Sequence, residues 1–366
     1  MMNINNTINE AVSRIKTIES SRKFHATKLE QLRNIDLSKF NSPDLLEKQF
    51  IQKISPIELN ERIAGVDSGF LGKRLHALDI VLVKAVAAIF DYKQNKLDDC
   101  SYFPASFSFP TPFISSNALE NDEFECNKSL LRLKQEVSTA IETIKNFKPK
   151  YLFLDGSIVP QYADKPRKDS KISSNYSEMI ALFQQLYKTA EQNSCTLIGA
   201  VEDSRGSRIR TILQETILQK NRLLEPAQLE NYFDSNLLSY LLKKNERSFA
   251  FSYSNNIEKH PVLMDFDEKF SKAIHAMYIR PSELDRPLRI EFLCSENISS
   301  KANEIASLVL SLSSFHREYA YPIVLIEADL RARLNVQEVS LLFDKIVDKL
   351  GRETAYLAMR RDSRPF

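Results

Sequence analysis

The sequence predicts an α/β fold, a mixed or parallel sheet with helices on its faces, and three observations point to it. Strand and helix patterns alternate repeatedly along the chain. The short apolar runs "YLFLD" and "CTLIGAV" each follow a helical pattern. No composition break or Gly/Ser linker divides these parts, so residues 1–60 read as an N-terminal helical arm and 61–366 as one elaborated domain.

Taken in order, residues 5–34 place Ile8, Val12, Ile15 and Ile18 at helical spacing, predicting an amphipathic helix that packs on the body or docks a partner. From Arg62 to Phe90 two or three strands follow. In the last, "ALDIVLVKAVAAIFDY", the Val/Ile enrichment favours adjoining strands, although its length also allows a helix. Prolines among phenylalanines rule out a helix in "SYFPASFSFPTPFISS", Ser101 to Ser116. That segment is expected to be an extended loop, either folded onto the core or presenting its rings to bases or a partner.

A helix over about 125–147 follows from the single stripe Leu130, Leu133, Val137, Ile141 and Ile144. It leads into the strand ending at Asp155. A second helix, about 176–192, precedes "CTLIGAVEDSR", and another begins near Ser207. The last third adds strands near 248–253, 273–279 and 288–293 and a helix near 301–315. "YPIVLIEADLRARL" then reads as strand into helix.

Composition bounds the function without naming it. A chain of 366 residues, 43% hydrophobic, can bury a sizeable core. Its net charge of +2 argues neither for nor against a nucleic-acid partner, so any basic surface must be local. Cys100, Cys126, Cys195 and Cys294 form no CxxC pair, which argues against a zinc site or a disulfide framework. With no signal-like or membrane-length apolar run, the expectation is a soluble, cytoplasmic protein with no membrane partner.

Glycine is scarce: seven in 366, against an average of roughly 7%. Three of the seven, Gly65, Gly69 and Gly72, flank Asp67 in "IAGVDSGFLG". Gly156 follows Asp155 in "YLFLDGS", so two strands are expected to end in nearly the same acidic tetrad. Either aspartate alone reads as a turn starter. Together, on neighbouring strands with like ends adjacent, they suit a Mg²⁺ or Mn²⁺ site, with the glycines letting a phosphate approach the backbone. Two such ions could clamp the attacking and leaving oxygens of a phosphodiester.

A further carboxylate is expected from the helix before "YLFLDGS", where Glu136 and Glu142 are both open. "AVEDSRGSRIR" gathers Glu202, Asp203, Arg205, Arg208 and Arg210 at a strand-to-helix junction, which suits either phosphate binding or an ordinary N-cap. Asp329 stands near Arg331 and Arg333, as ligand or as surface carboxylate. Lys165, Arg167, Lys168 and Lys171 form a basic loop, DNA-tracking or merely solvated. The five histidines show no ligand spacing, and neither Ser68 nor Ser157 lies in a GxSxG setting.

The ordered motifs "GVDSGF", "RLKQE", "YLFLDGSI", "GAVEDSRGSRI" and "YPIVLIEADLRARL" resemble the NurA nuclease family from about Ile63 to Leu334. The resemblance implies an RNase H-like fold and a manganese- or magnesium-dependent nuclease, 5′ to 3′ on ends and endonucleolytic on single strands. Its setting would be DNA end resection and double-strand break repair. It implies a homodimer, a HerA-type hexameric helicase-translocase as partner, and single- and double-stranded DNA as substrate. Asp67, Glu136 and Asp155 become the catalytic metal ligands, which selects Glu136 over Glu142, and Asp329 a fourth. The family often has lysine where this chain has Glu202, and histidine where it has Asp329. Arg205 or Arg208 would then supply the positive charge to the scissile phosphate, with Lys165, Arg167 and Lys168 also meeting DNA.

Two other classes are open. An actin-like or sugar-kinase-like ATPase also pairs Asp-x-Gly turns, but beyond the acidic loops only Gly351 remains for its phosphate turns. A non-catalytic subunit that clamps DNA or a translocase fits the missing lysine and histidine.

Overall fold

The computed structural model describes residues 4–351 apart from 77, 116, 117 and 222. Along the chain come α1 (Ile4–Leu29), β1 (Ile51–Lys53), β2 (Arg62–Arg74), β3 (Asp79–Lys93), β4 (Lys96–Phe103), β5 (Thr111–Ser115), α2 (Asn121–Phe147) and β6 (Tyr151–Asp155). Next are α3 (Ser173–Gln192), β7 (Thr196–Val201), α4 (Arg208–Ile212), α5 (Leu218–Asn221), α6 (Asp234–Leu241), β8 (Glu246–Ser248) and β9 (Phe251–Ser252). Then follow α7 (Glu268–Ala273), β10 (Ile274–Arg280), β11 (Leu288–Leu293), α8 (Ile298–Leu312), α9 (Ile323–Ala332) and α10 (Val336–Leu350).

The chain forms two compact units. One comprises residues 58–200, 256–272 and 322–366, the other 1–57, 201–255 and 273–321. In the first, the sheet order is β7-β6-β2-β3-β4, with β5 also paired to β3. β2 and β3 form a long antiparallel ladder from Arg62 opposite Asp91 to Arg74 opposite Asp79. β6 joins β2 in parallel and β7 joins β6 in parallel. From Asp79 onward the run "DIVLVKAVAAIFDY" is therefore a single strand, β3. Between Ile80 and Phe90 it is apolar except for Lys84, because it is buried from Asp79 to Phe90.

Helix α2 packs on one face of this sheet and α9 on the other. Gly65 and Gly69 lie against the α9 backbone: a Cβ at Gly69 would stand 2.5 Å from the carbonyl oxygen of Ala332, and one at Gly65 2.8 Å from that of Val324. Gly72, on the opposite face, lies against Lys128 and Phe124 of α2. These three glycines admit helices, not a substrate phosphate, correcting the expectation above. The "YPIVLI" run is also corrected, because it is helical from Ile323. Val324, Leu325, Ala328 and Ala332 are its buried stripe, so tertiary packing outweighs the strand preference of Ile323, Val324 and Ile326. The proline-rich segment, expected to be a loop, enters in β4 and leaves in β5.

In the second unit β1-β8-β10-β11 form an antiparallel sheet, with β9 on β10. Its core gathers Leu29, Phe50, Ile212, Leu237, Phe249 and Tyr278. Arg247, fully buried, donates to both carboxylate oxygens of Glu47 at 2.7 Å and to Asn303 Oδ1 at 2.8 Å. The apolar stripe of α1 is not packed in this way: Ile8, Val12, Ile15 and Ile18 are all exposed. No described helix is long and apolar enough to cross a membrane.

Candidate active site

The register of β2 creates the site. Its parallel pairing with β6 ends at Val66 opposite Leu154, while its antiparallel pairing with β3 continues eight residues further, through Arg74. Asp67 and Asp155 are the next residue on each strand, so the two carboxylates stand side by side where β6 stops. Asp67 thus lies in mid-strand, opposite Val86 of β3, rather than at the strand end the sequence suggested. The backbone N–H of Ser68 donates to Asp67 Oδ1 at 2.6 Å.

Alternation along β2 sends Ser68 to the opposite face, where Ser68 Oγ donates to Glu136 Oε2 of α2. Arg132, one turn earlier, donates to the same oxygen at 2.8 Å. Glu136 is 2% exposed, while Glu142 is exposed and pairs with Lys145 at 3.0 Å. Asp329 is an exposed residue of α9 whose charge is felt at Asp67.

Burial is the main force on these acids. It pushes Asp67 up to about 8, with repulsion from Asp155 and then Glu136 adding to it, and Asp329 contributing a smaller push. Glu136 is raised to about 6 by burial; Arg132 and the Ser68 hydroxyl restrain the rise. A cleft of about 500 Å³ opens beside them, lined by Arg132, Glu136, Asp155, Gly156, Ser157 and Asp164 among others. A neighbouring cleft of about 430 Å³ shares Asp122, Cys126 and Ala163 with it and is bordered by Lys165, Arg167 and Lys171.

Among the described residues no three His, Cys, Asp or Glu side chains form a group arranged to hold a metal ion. The donor set nevertheless fits a hard divalent cation. It consists of carboxylate oxygens, and burial, with the repulsion of Asp155 and Glu136 added, favours a proton on Asp67 that a cation would displace.

The other expected residues fare differently. Arg208 is committed to Asp44 in a half-buried ion pair, while Arg205 is exposed. Lys165 donates to Asp265 Oδ2 at 2.5 Å and to the Pro261 carbonyl at 2.6 Å; Arg167 and Lys168 are exposed. Glu202 accepts from the Tyr319 hydroxyl. Arg132 is not among the residues that the sequence points to, and Ser68 enters there only as a nucleophile without a GxSxG setting, not as a partner of Glu136. The i, i+4 spacing of Arg132 and Glu136 was the available signal for the first.

A five-strand order with two parallel and two antiparallel pairings, and an acidic cleft where the central strand outruns its neighbour, defines an RNase H-like α/β protein. The NurA domain profile matches residues 61–334. The chain belongs to the NurA family. Among solved structures, the NurA nuclease from Sulfolobus solfataricus is 17% identical with a TM-score of 0.59, covering 96% of this chain and 97% of that one. A NurA solved with manganese is 11% identical (TM-score 0.52; 94% and 99% covered), and a NurA bound to dAMP and manganese 12% identical (TM-score 0.50; 94% and 98% covered). These likenesses are of fold. Among curated proteins none matches the sequence.

Proposed function

We propose that this protein is a divalent-metal-dependent DNA nuclease of the cytoplasm. The observation that carries the reading is the pairing of Asp67 with Asp155 at the end of the β2–β6 ladder, joined electrostatically by buried Glu136. Family membership and a same-fold relative bound to dAMP and manganese support it.

Asp67, Asp155 and Glu136 would hold the cation, with Asp329 closing the set from α9. Bound Mn²⁺ or Mg²⁺ supplies Lewis acidity for the charge that develops on the phosphate and on the departing 3′-oxygen. Arg132 and Ser68 fix the Glu136 carboxylate, and the Ser68 amide fixes that of Asp67, so the acids are oriented before substrate arrives. Exposed Arg205, Arg167 and Lys168 would meet the DNA backbone; Lys165 would do so by exchanging its Asp265 partner. By family membership the enzyme would act 5′ to 3′ on ends and endonucleolytically on single strands. It would work as a homodimer with a HerA-type hexameric translocase in end resection and break repair.

Digestion of 5′- and 3′-labelled linear DNA with Mn²⁺ tests this reading. Wild type should release the 5′ label first, EDTA should stop it, and Asp67→Ala should lose at least about a hundredfold in rate while binding DNA. Retained cleavage by Asp67→Ala would remove the acids from the mechanism.

A further inference from the structure

The sheet edge beside the acids is interrupted. β4 leaves β3 with Phe103 opposite Ala87, and β5 returns with Thr111 opposite Val83, so the register passes over Lys84, Ala85 and Val86. Those three are the partners of Gly69, Ser68 and Asp67 on the other side of β3. Seven residues, Pro104–Pro110, therefore bulge from the edge at the level of the acid cluster. At its tip Phe107 and Phe109 are 68% and 77% exposed, rings edge to face at 5.5 Å.

Two large rings exposed side by side make one aromatic patch at the loop tip. They border a cavity of about 210 Å³ that also takes in Lys84, Leu334, Leu342 and Lys345. Lys84 pairs in register with Gly69 and so shares the face of Asp67. Leu334 lies just beyond α9, the helix that carries Asp329. Ser108, between the two phenylalanines, has a buried hydroxyl with no hydrogen-bond partner among the described residues. Aromatic faces, the exposed Lys345 and a spare polar group, in register with the stretch of β2 that carries Asp67, match a nucleic-acid strand better than an apolar protein surface.

We infer that the Pro104–Pro110 bulge is a base-stacking subsite for a single DNA strand, a base resting on Phe107 or Phe109 while exposed Lys345 faces its phosphates. This rests on the nuclease reading for its substrate class, but binding tests it without cleavage.

The probe is fluorescein-labelled dT12 in EDTA, intact and as a series with one abasic position each. Loss of one stacked base corresponds to roughly a tenfold to hundredfold weaker Kd. Wild type should show that loss at one or two abasic positions. F107A/F109A should bind intact dT12 weaker by the same factor and become insensitive to the abasic series, and F107Y/F109Y should restore both properties. Unchanged dT12 affinity in F107A/F109A, or no binding by wild type, overturns the subsite. A change of sedimentation state at unchanged affinity overturns it too, in favour of a contact with a second copy. Wild type that shows the abasic pattern yet cleaves no DNA in Mn²⁺ keeps the subsite and removes the nuclease reading.

Discussion

Replacing Asp67 by asparagine should stabilise the metal-free protein, because a buried acid among acids is held there against its own preference. The ordinary carboxylate value is 3.8 and the folded one about 8, so the folded state binds the proton more tightly than the unfolded state does. The sign follows: no penalty exists below pH 4, it grows as pH rises, and it is complete above 8. At pH 7 about three units separate solution from the unfolded value, and at about 1.36 kcal/mol per unit the penalty is up to ~4 kcal/mol. Asparagine keeps the shape and has no proton to take up. With roughly 2.1 cal/mol/K per residue of unfolding entropy, 366 residues give about 0.8 kcal/mol/K. Asp67→Asn should therefore melt about 2–5 °C higher than wild type in EDTA at pH 7–8, the gap narrowing by pH 5. Mn²⁺ at a hundred times Kd should close much of the gap, since wild type gains about 2.7 kcal/mol and the variant less. Equal melting at pH 8 in EDTA, or a gap that persists unchanged at pH 5, would refute the reasoning.

Arg132→Met removes the main force holding Glu136 down, so the acidic limb of the pH–activity profile should move up by roughly one unit. An unmoved limb in a pH–rate series would mean that Glu136 does not have to ionise. Gly69→Ala drives a Cβ into the Ala332 carbonyl and displaces α9 with Asp329, so activity should fall about tenfold and stability by about 1–3 kcal/mol. Gly72→Ala, facing movable side-chain carbons of Lys128 and Phe124, is the milder control in the same assays. Glu47→Ala strands a fully buried Arg247 and should cost about 3–5 kcal/mol in urea unfolding, whereas the outlying pair Lys269–Glu191 should be almost silent.

Much of the sheet unit was legible because its signals are local. α2 declares itself through one apolar stripe, and β6 through four buried residues ending in an acid. α9 was misread because Ile323, Val324 and Ile326 favour a strand in isolation. The decision for a helix comes from the two glycines of β2, some 250 residues earlier in the chain, which let its backbone sit flush on the sheet. The long gap opposite Lys84–Val86 was likewise invisible, since the composition of "PASFSFP" says that the chain is not helical but not which ladder it leaves.

The same contrast separates the two aspartates. Asp155 ends its strand, and Gly156 behind it adopts φ +111°, a conformation that side chains rarely take, so the sequence motif and the structure agree. Asp67 carries a near-identical motif for another reason. Its glycines serve helix packing, and its place in the site is set by a difference in ladder length between β3 and β6. One acid is therefore at a turn and the other is fixed within a continuous antiparallel ladder. A carboxylate anchored in that way keeps its position when its neighbours adjust, so the movable partners in cation binding are Asp155 at its strand end and Asp329 on the α9 surface.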